Sequence, residues 1–89
     1  LRYLYGITLE DFNGLLEFQN NLCGICFKPI EHNRKSLNVD HDHETNEVRG
    51  ILCSSCNTAL GRFEDSIDGL KRAIYYLENP PYSEYKRDK

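Results

Sequence analysis

The chain has no methionine, not even at position 1, so its 89 residues read as a stretch that begins inside a longer reading frame or has been trimmed. It has no apolar run near the roughly 20 residues that a membrane span needs, and Leu1–Ile7 is too short and too polar for a secretory signal. These absences exclude a membrane partner and place the expected site of action in the cytoplasm. An excess of basic residues is missing too: 11 Lys and Arg stand against 14 Asp and Glu, a formal net charge of −3. With no global cationic field to hold a polyanion, any nucleic-acid contact has to be local and helped by a bound cation. Internal repeats and low-complexity stretches are absent as well. A lone domain of this length buries only about 60–65% of the surface its unfolded chain exposes, so it needs a staple.

The staple is written as two cysteine pairs, Cys23-Gly24-Ile25-Cys26 and Cys53-Ser54-Ser55-Cys56. Tetrahedral Zn²⁺ takes two ligand pairs brought together from two knuckles, and this spacing predicts a four-thiolate structural zinc site. The alternative, two disulfides in a secreted mini-domain, goes with scattered cysteines and a signal peptide. Four thiolates outweigh one dication, so zinc would leave the domain more negative still.

Between the pairs the chain alternates local signals. Leu1–Ile7 reads as an aromatic lead-in that ends near Gly6. Thr8 caps a helix with acidic residues in its first turn and an apolar stripe of Leu9, Phe12, Leu15 and Leu16, with Gln19 at its edge; Asn20-Asn21 ends it. Leu22–Ile30 is the first knuckle, with Gly24 at its turn and Pro29 at its exit. Glu31–Ser36 is a polar loop whose His32 reads as a surface histidine. Leu37-Asn38-Val39 and Val48–Leu52 are β-prone and flank a turn at Glu44–Glu47, which makes a hairpin. A helix opens at Cys53–Phe63 with Ser54 or Ser55 as cap, and the helix dipole favours the thiolate of Cys56. Asp65 or Ser66 caps a last helix with Ile67, Leu70, Ala73, Ile74 and Leu77 as its buried face. Pro80-Pro81 stops that helix and leaves 80–89 as a charged tail, in which Tyr82–Lys89 reads as frayed or else as the beginning of a removed segment.

At the mouth of the hairpin lies Val39-Asp40-His41-Asp42-His43. Neighbouring strand residues face opposite ways, so Asp40 and His41 reach one substrate only where the strand ends and twists. Asp40 offers a hard anionic oxygen and Asn57 a neutral amide oxygen, a donor set that suits Mg²⁺ completed by waters and a phosphate. His41 is an imidazole able to take a proton from water near neutral pH. A base beside an oxygen-rich cation site suggests phosphodiester hydrolysis, with one metal because one carboxylate is present. Plainer readings stay open. Asp40 and Asp42 can be turn residues, His41 and His43 can bind backbone groups, a treble-clef zinc module need not be catalytic, and the histidines can join cysteines in a mixed zinc site.

The pattern Cys23-x2-Cys26, Val39-Asp40-His41-Asp42-His43-x-Thr45, then Val48-Arg49-Gly50-Ile51-Leu52-Cys53-x2-Cys56-Asn57-x2-Leu60-Gly61 resembles the recombination endonuclease VII family of HNH, or His-Me finger, nucleases. The likeness runs from about Tyr5 to Leu77. It implies that Asp40 and Asn57 bind a catalytic Mg²⁺ or Mn²⁺, that His41 is the general base, that His43 lies at the scissile phosphate and that the four cysteines hold zinc. It also implies phage or prophage origin. Leu60 departs from the pattern: a junction-resolving member has an acidic residue there, and continues into a long helical part used for dimerisation and junction recognition.

The expectation is therefore an α+β fold: a zinc-stapled, treble-clef-like ββα-metal domain with flanking N- and C-terminal helices. It forms one nuclease domain over 1–89, with its core over 5–77, that nicks DNA or cleaves branched DNA. A monomer is favoured, and a dimer is open if longer segments are missing. The rival is a non-catalytic zinc-stabilised DNA- or protein-binding module. Arg49 leads the candidate phosphate contacts, with Arg62, Arg34 and Lys35, then Lys71 and Arg72, behind it; a solvated surface charge is the alternative for each.

Overall fold

Thr8 and Asp11 close the first helix onto itself. The Thr8 hydroxyl accepts from the Asp11 N–H at 3.0 Å, the Asp11 carboxylate accepts from the Thr8 N–H at 3.0 Å, and α1 follows over Leu9–Phe18. The computed structural model describes residues 6–30 and 37–87, so the lead-in Leu1–Tyr5, the loop 31–36 with His32, Arg34 and Lys35, and the last two residues lie outside the described residues. The chain divides into two compact units, Leu1–Thr58 and Ala59–Lys89.

In the first unit α1 ends where the sequence says it should. Asn20 and Asn21 adopt left-handed φ values of 56° and 60°, which asparagine tolerates better than most residues. The stripe is narrower than its periodicity suggests: Leu16 is buried, Phe12 and Leu15 are half-buried, and Leu9 is exposed. The knuckle then folds back through a bridge between Leu22 and Pro29, with the Cys23 N–H donating to the Lys28 carbonyl. Its left-handed residue is Phe27, φ 60°. A Cβ at Gly24 would meet only ordinary contacts, the nearest 3.5 Å away.

Strands β1 (Asn38–His41) and β2 (Val48–Leu52) form the antiparallel hairpin. Asp42 through Glu47 close it: the Asp42 N–H donates to the Glu47 carbonyl, and the Asp42 carboxylate accepts from Glu44 N–H at 2.8 Å and Thr45 N–H at 3.1 Å. Those two N–H groups hold the Asp42 carboxyl below its ordinary value. Of the plainer readings, the turn role holds for Asp42. Helix α2 (Ser54–Arg62) follows. Among the described residues the buried apolar side chains are Leu16, Cys23, Ile30, Ile51 and Leu52, a core too small to hold a hairpin, a knuckle and a helix together without a cross-link.

In the second unit Glu64 and Asp65 turn the chain with left-handed φ, and Ser66 caps α3 (Ile67–Glu78) by accepting from the Gly69 N–H at 3.0 Å. Two expectations fail here. The face assigned to the core is largely exposed, with Ile67 at 70%, Ile74 at 56% and Leu77 at 75%, and Gly69 is the buried residue of this helix. Periodicity shows that a helix has an apolar side, but it does not supply anything to cover that side. The tail is also not frayed over 81–87: Pro80-Pro81 stops α3, yet Pro81 opens α4 (Pro81–Arg87), because proline fits the first position of a helix. Lys86 and Arg87 in its last turn suit the dipole.

Candidate metal centre and active site

The four sulfurs of Cys23, Cys26, Cys53 and Cys56 lie within 4.8 Å of one another, and the Cys26 and Cys53 sulfurs are 3.9 Å apart. A tetrahedral ion with metal–sulfur bonds of about 2.3 Å holds its sulfurs about 3.8 Å apart, so the set fits such an ion. It does not fit disulfides, and all four cysteines are free. Among the described residues this potential metal group contains no histidine, so the mixed-site reading fails.

Backbone N–H groups aim at the sulfurs as a thiolate site requires. Ile25 and Cys53 each donate to the Cys23 sulfur at 3.4 Å, and Cys56 donates to the Cys53 sulfur at 3.4 Å. The last bond takes the place of an N-cap. Cys53 precedes α2, and its sulfur accepts from the third helical residue; Ser54 and Ser55, the expected caps, are already inside the helix. Ser54 instead accepts from the Asn38 side chain at 3.3 Å, tying α2 to β1.

Burial would push the Cys23 thiol up, but N–H groups of Cys53, Cys26 and Ile25 and the Cys26 side chain together bring it down to about 6. Cys56 moves against the expectation from the helix dipole. It is pushed up to about 12 by burial, by the neighbouring sulfurs it donates to, and by the charge on Cys23. One thiolate in such a cluster disfavours the next, and a bound cation is what lets all four ionise.

The hairpin is irregular at the point where the sequence puts its chemistry. Asp40 pairs with Gly50 and His41 with Val48, so Arg49 is an extra residue on β2 and the register shifts between Asp40 and His41. A bulge bends and twists a strand locally, the condition under which consecutive residues serve one site. Asp40 is the buried charged residue among those described. Arg49 holds both of its oxygens, Nε to Oδ2 at 2.7 Å and Nη2 to Oδ1 at 3.0 Å. Residue-by-residue reading missed this pair, because it offered Arg49 to phosphate and Asp40 to a cation. The one signal in the sequence was an arginine and an aspartate close to opposite each other across a short hairpin.

His41 ends β1, half-buried, and His43 follows in the turn, exposed; their rings meet edge to face with centroids 4.9 Å apart. Asn57 is half-buried in α2, directly after Cys56, and its N–H bonds the Cys53 carbonyl. Asp40, His41, His43, Arg49 and Asn57 thus belong to the first unit together with the four cysteines. Arg62 is exposed in the last turn of α2 and belongs to the second unit, as do the exposed Lys71 and Arg72. No described helix is long and apolar enough to cross a membrane.

Comparison with known proteins places this geometry. The family model for recombination endonuclease VII matches residues 1–79. The Gene 59 proteins of Mycobacterium phages D29 and L5 are 50% and 49% identical to it over 78 residues, 86% of this chain and 47% of each phage protein. The chain thus spans about half the length of these relatives. Among solved structures it is similar to the beta-beta-alpha-Me type II restriction endonuclease Hpy99I, with a TM-score of 0.59 and 34% identity over 80% of this chain and 41% of that one.

Proposed function

The chain belongs to the recombination endonuclease VII family, and from that premise we propose that it is a divalent-metal-dependent DNA endonuclease that hydrolyses phosphodiester bonds. The observation that carries the reading is the bulge between Asp40 and His41. A local twist there supports the reading that a carboxylate and an imidazole adjacent in one strand serve one site, with Asn57 next to Cys56 of the four-cysteine cluster. Cys23, Cys26, Cys53 and Cys56 hold a structural Zn²⁺.

Asp40 and Asn57 hold Mg²⁺ or Mn²⁺ through one anionic and one amide oxygen. A cation held there would supply positive charge against the charge that builds on the phosphoryl and leaving oxygens. His41 accepts the proton of the attacking water as general base. His43, edge-on to His41, faces the scissile phosphate, and the products carry 5′-phosphate and 3′-hydroxyl ends as the family resemblance implies. Arg62, Arg34 and Lys35 contact phosphates outside the scissile one.

Conversion of supercoiled plasmid to open circles, dependent on added Mg²⁺ or Mn²⁺ and stopped by chelator, is the expected result. A second reading draws on the Asp40–Arg49 pair: if the carboxylate never leaves its arginine, the domain is a zinc-stabilised DNA- or protein-binding module. Binding without metal-dependent cleavage would decide for it.

A further inference from the structure

The cation in contact with Asp40 in this structure belongs to the protein itself. Directly opposed residues of an antiparallel pair share a face, so in an unbroken hairpin Asp40 and Gly50 would lie on one face and His41 and Arg49 on the other. The shifted register removes Arg49 from the position opposite His41 and turns it to Asp40. The residue directly across from Asp40 is Gly50, which brings no side chain of its own to the pair; the Gln19 Oε1 lies 3.3 Å from where a Cβ on Gly50 would sit. The contact is two-pointed and joins a buried carboxylate to a partly exposed arginine.

We infer that Arg49 is a positioning residue that makes divalent-cation binding at Asp40 conditional on DNA. This rests on Asp40 and Asn57 being the cation ligands. In the free protein the carboxylate, the guanidinium and the neutral amide of Asn57 sum to no net charge, so the donor set attracts a dication weakly. A guanidinium fork matches a phosphodiester as well as a carboxylate, and the phosphate brings both a negative charge and oxygen ligands. Arg49 therefore transfers from Asp40 to the phosphate, and Asp40 is released to the cation. Binding of DNA and of cation then reinforce each other, each raising the affinity for the other by the same factor.

The test uses zinc-loaded protein with His41→Ala, so that DNA stays intact, and reads bound Mn²⁺ by electron paramagnetic resonance with and without a short duplex. A duplex should tighten Mn²⁺ binding by about tenfold or more. Adding Arg49→Gln should tighten the DNA-free affinity by roughly tenfold, because a competing charge has gone, and should abolish most of the coupling. A residue that merely braced the hairpin would, when replaced, weaken Mn²⁺ binding or leave it unchanged, and either result overturns the inference.

If the double variant does not fold, the unaltered Arg49 side chain carries the test. Its Nε–H resonance in ¹⁵N-labelled protein with His41→Ala should move when duplex and Mg²⁺ are added together, and hardly at all with Mg²⁺ alone. An unmoved resonance in the ternary mixture overturns the proposal. Mn²⁺ bound equally well with and without DNA overturns it too, while leaving the nuclease reading intact. No Mn²⁺ bound in any state, together with no plasmid nicking by the unaltered protein, removes both.

Discussion

The side-chain amide of Gln19 pairs with the backbone of Ile51 from both ends, its Nε2 donating to the Ile51 carbonyl at 3.0 Å and its Oε1 accepting from the Ile51 N–H at 2.9 Å. It acts like one more residue of sheet beside β2, giving the Ile51 N–H an acceptor and adding a second donor to the Ile51 carbonyl, which also accepts from the Gly24 N–H. The same Nε2 also reaches the Leu22 carbonyl at 2.9 Å, so one glutamine joins α1, the first knuckle and β2.

Gln19→Leu should therefore destabilise a domain in which nothing apolar was lost. Without Gln19 the Ile51 carbonyl keeps the Gly24 N–H at 3.0 Å, but the Ile51 N–H loses the Gln19 acceptor at 2.9 Å, and Ile51 is fully buried. Leaving one such donor unpaired costs about 1–3 kcal/mol. Chemical denaturation of zinc-loaded protein measures it, and a midpoint equal to wild type would show that water replaces the glutamine.

The metal staple should outweigh any single hydrogen bond. Structural zinc in small domains is worth on the order of 10–16 kcal/mol of apparent binding energy, against a typical total stability of about 5–15 kcal/mol. Cys53→Ser removes a ligand and also the acceptor that caps α2, so it should abolish zinc stoichiometry and the cooperative thermal transition together. A variant that stays folded without metal would show that the small core suffices.

Much of this was legible because it follows local rules. The Thr8 and Asp11 capping box, the stop at Asn20-Asn21, the hairpin and the two cysteine pairs each rest on a few neighbouring residues with one strongly favoured geometry. The bulge was not, because a register shift of one residue depends on how both strands pack, and with it went the pairing of Arg49 with Asp40. The exposed α3 face and the helix after Pro81 escaped for opposite reasons. The first needed knowledge of what covers a helix, and the second turned on proline serving as a start as well as a stop.

Replacing the proposed base should separate chemistry from binding. His41 lies at the end of β1 and ligates no zinc in the cysteine cluster, so His41→Ala should keep zinc content and DNA affinity near wild type while cleavage falls by about 10²–10⁴-fold. Asn57→Ala should differ in kind: its loss weakens a cation ligand, so activity should recover in part as Mg²⁺ is raised. Equal loss at every Mg²⁺ concentration would argue that Asn57 acts through α2 rather than on the cation.

The form of the plasmid product tests how many chains act together. One ββα unit addresses one phosphodiester at a time, and the net charge of −3 gives no broad electrostatic footprint, so chains that act independently should nick and depart. Open circles should accumulate well before linear DNA, and the rate should rise in proportion to protein concentration and drop steeply with added salt. The exposed Ile67, Ile74 and Leu77 on α3 supply the contrary outcome, for a stripe of this kind can pair two chains. Linear product forming as fast as open circles, with a rate that climbs as the square of concentration, would mean that two active sites work in register. Charged substitutions along that stripe, such as Ile74→Glu, would then restore simple nicking. With independent chains the same substitution should leave the time course unchanged.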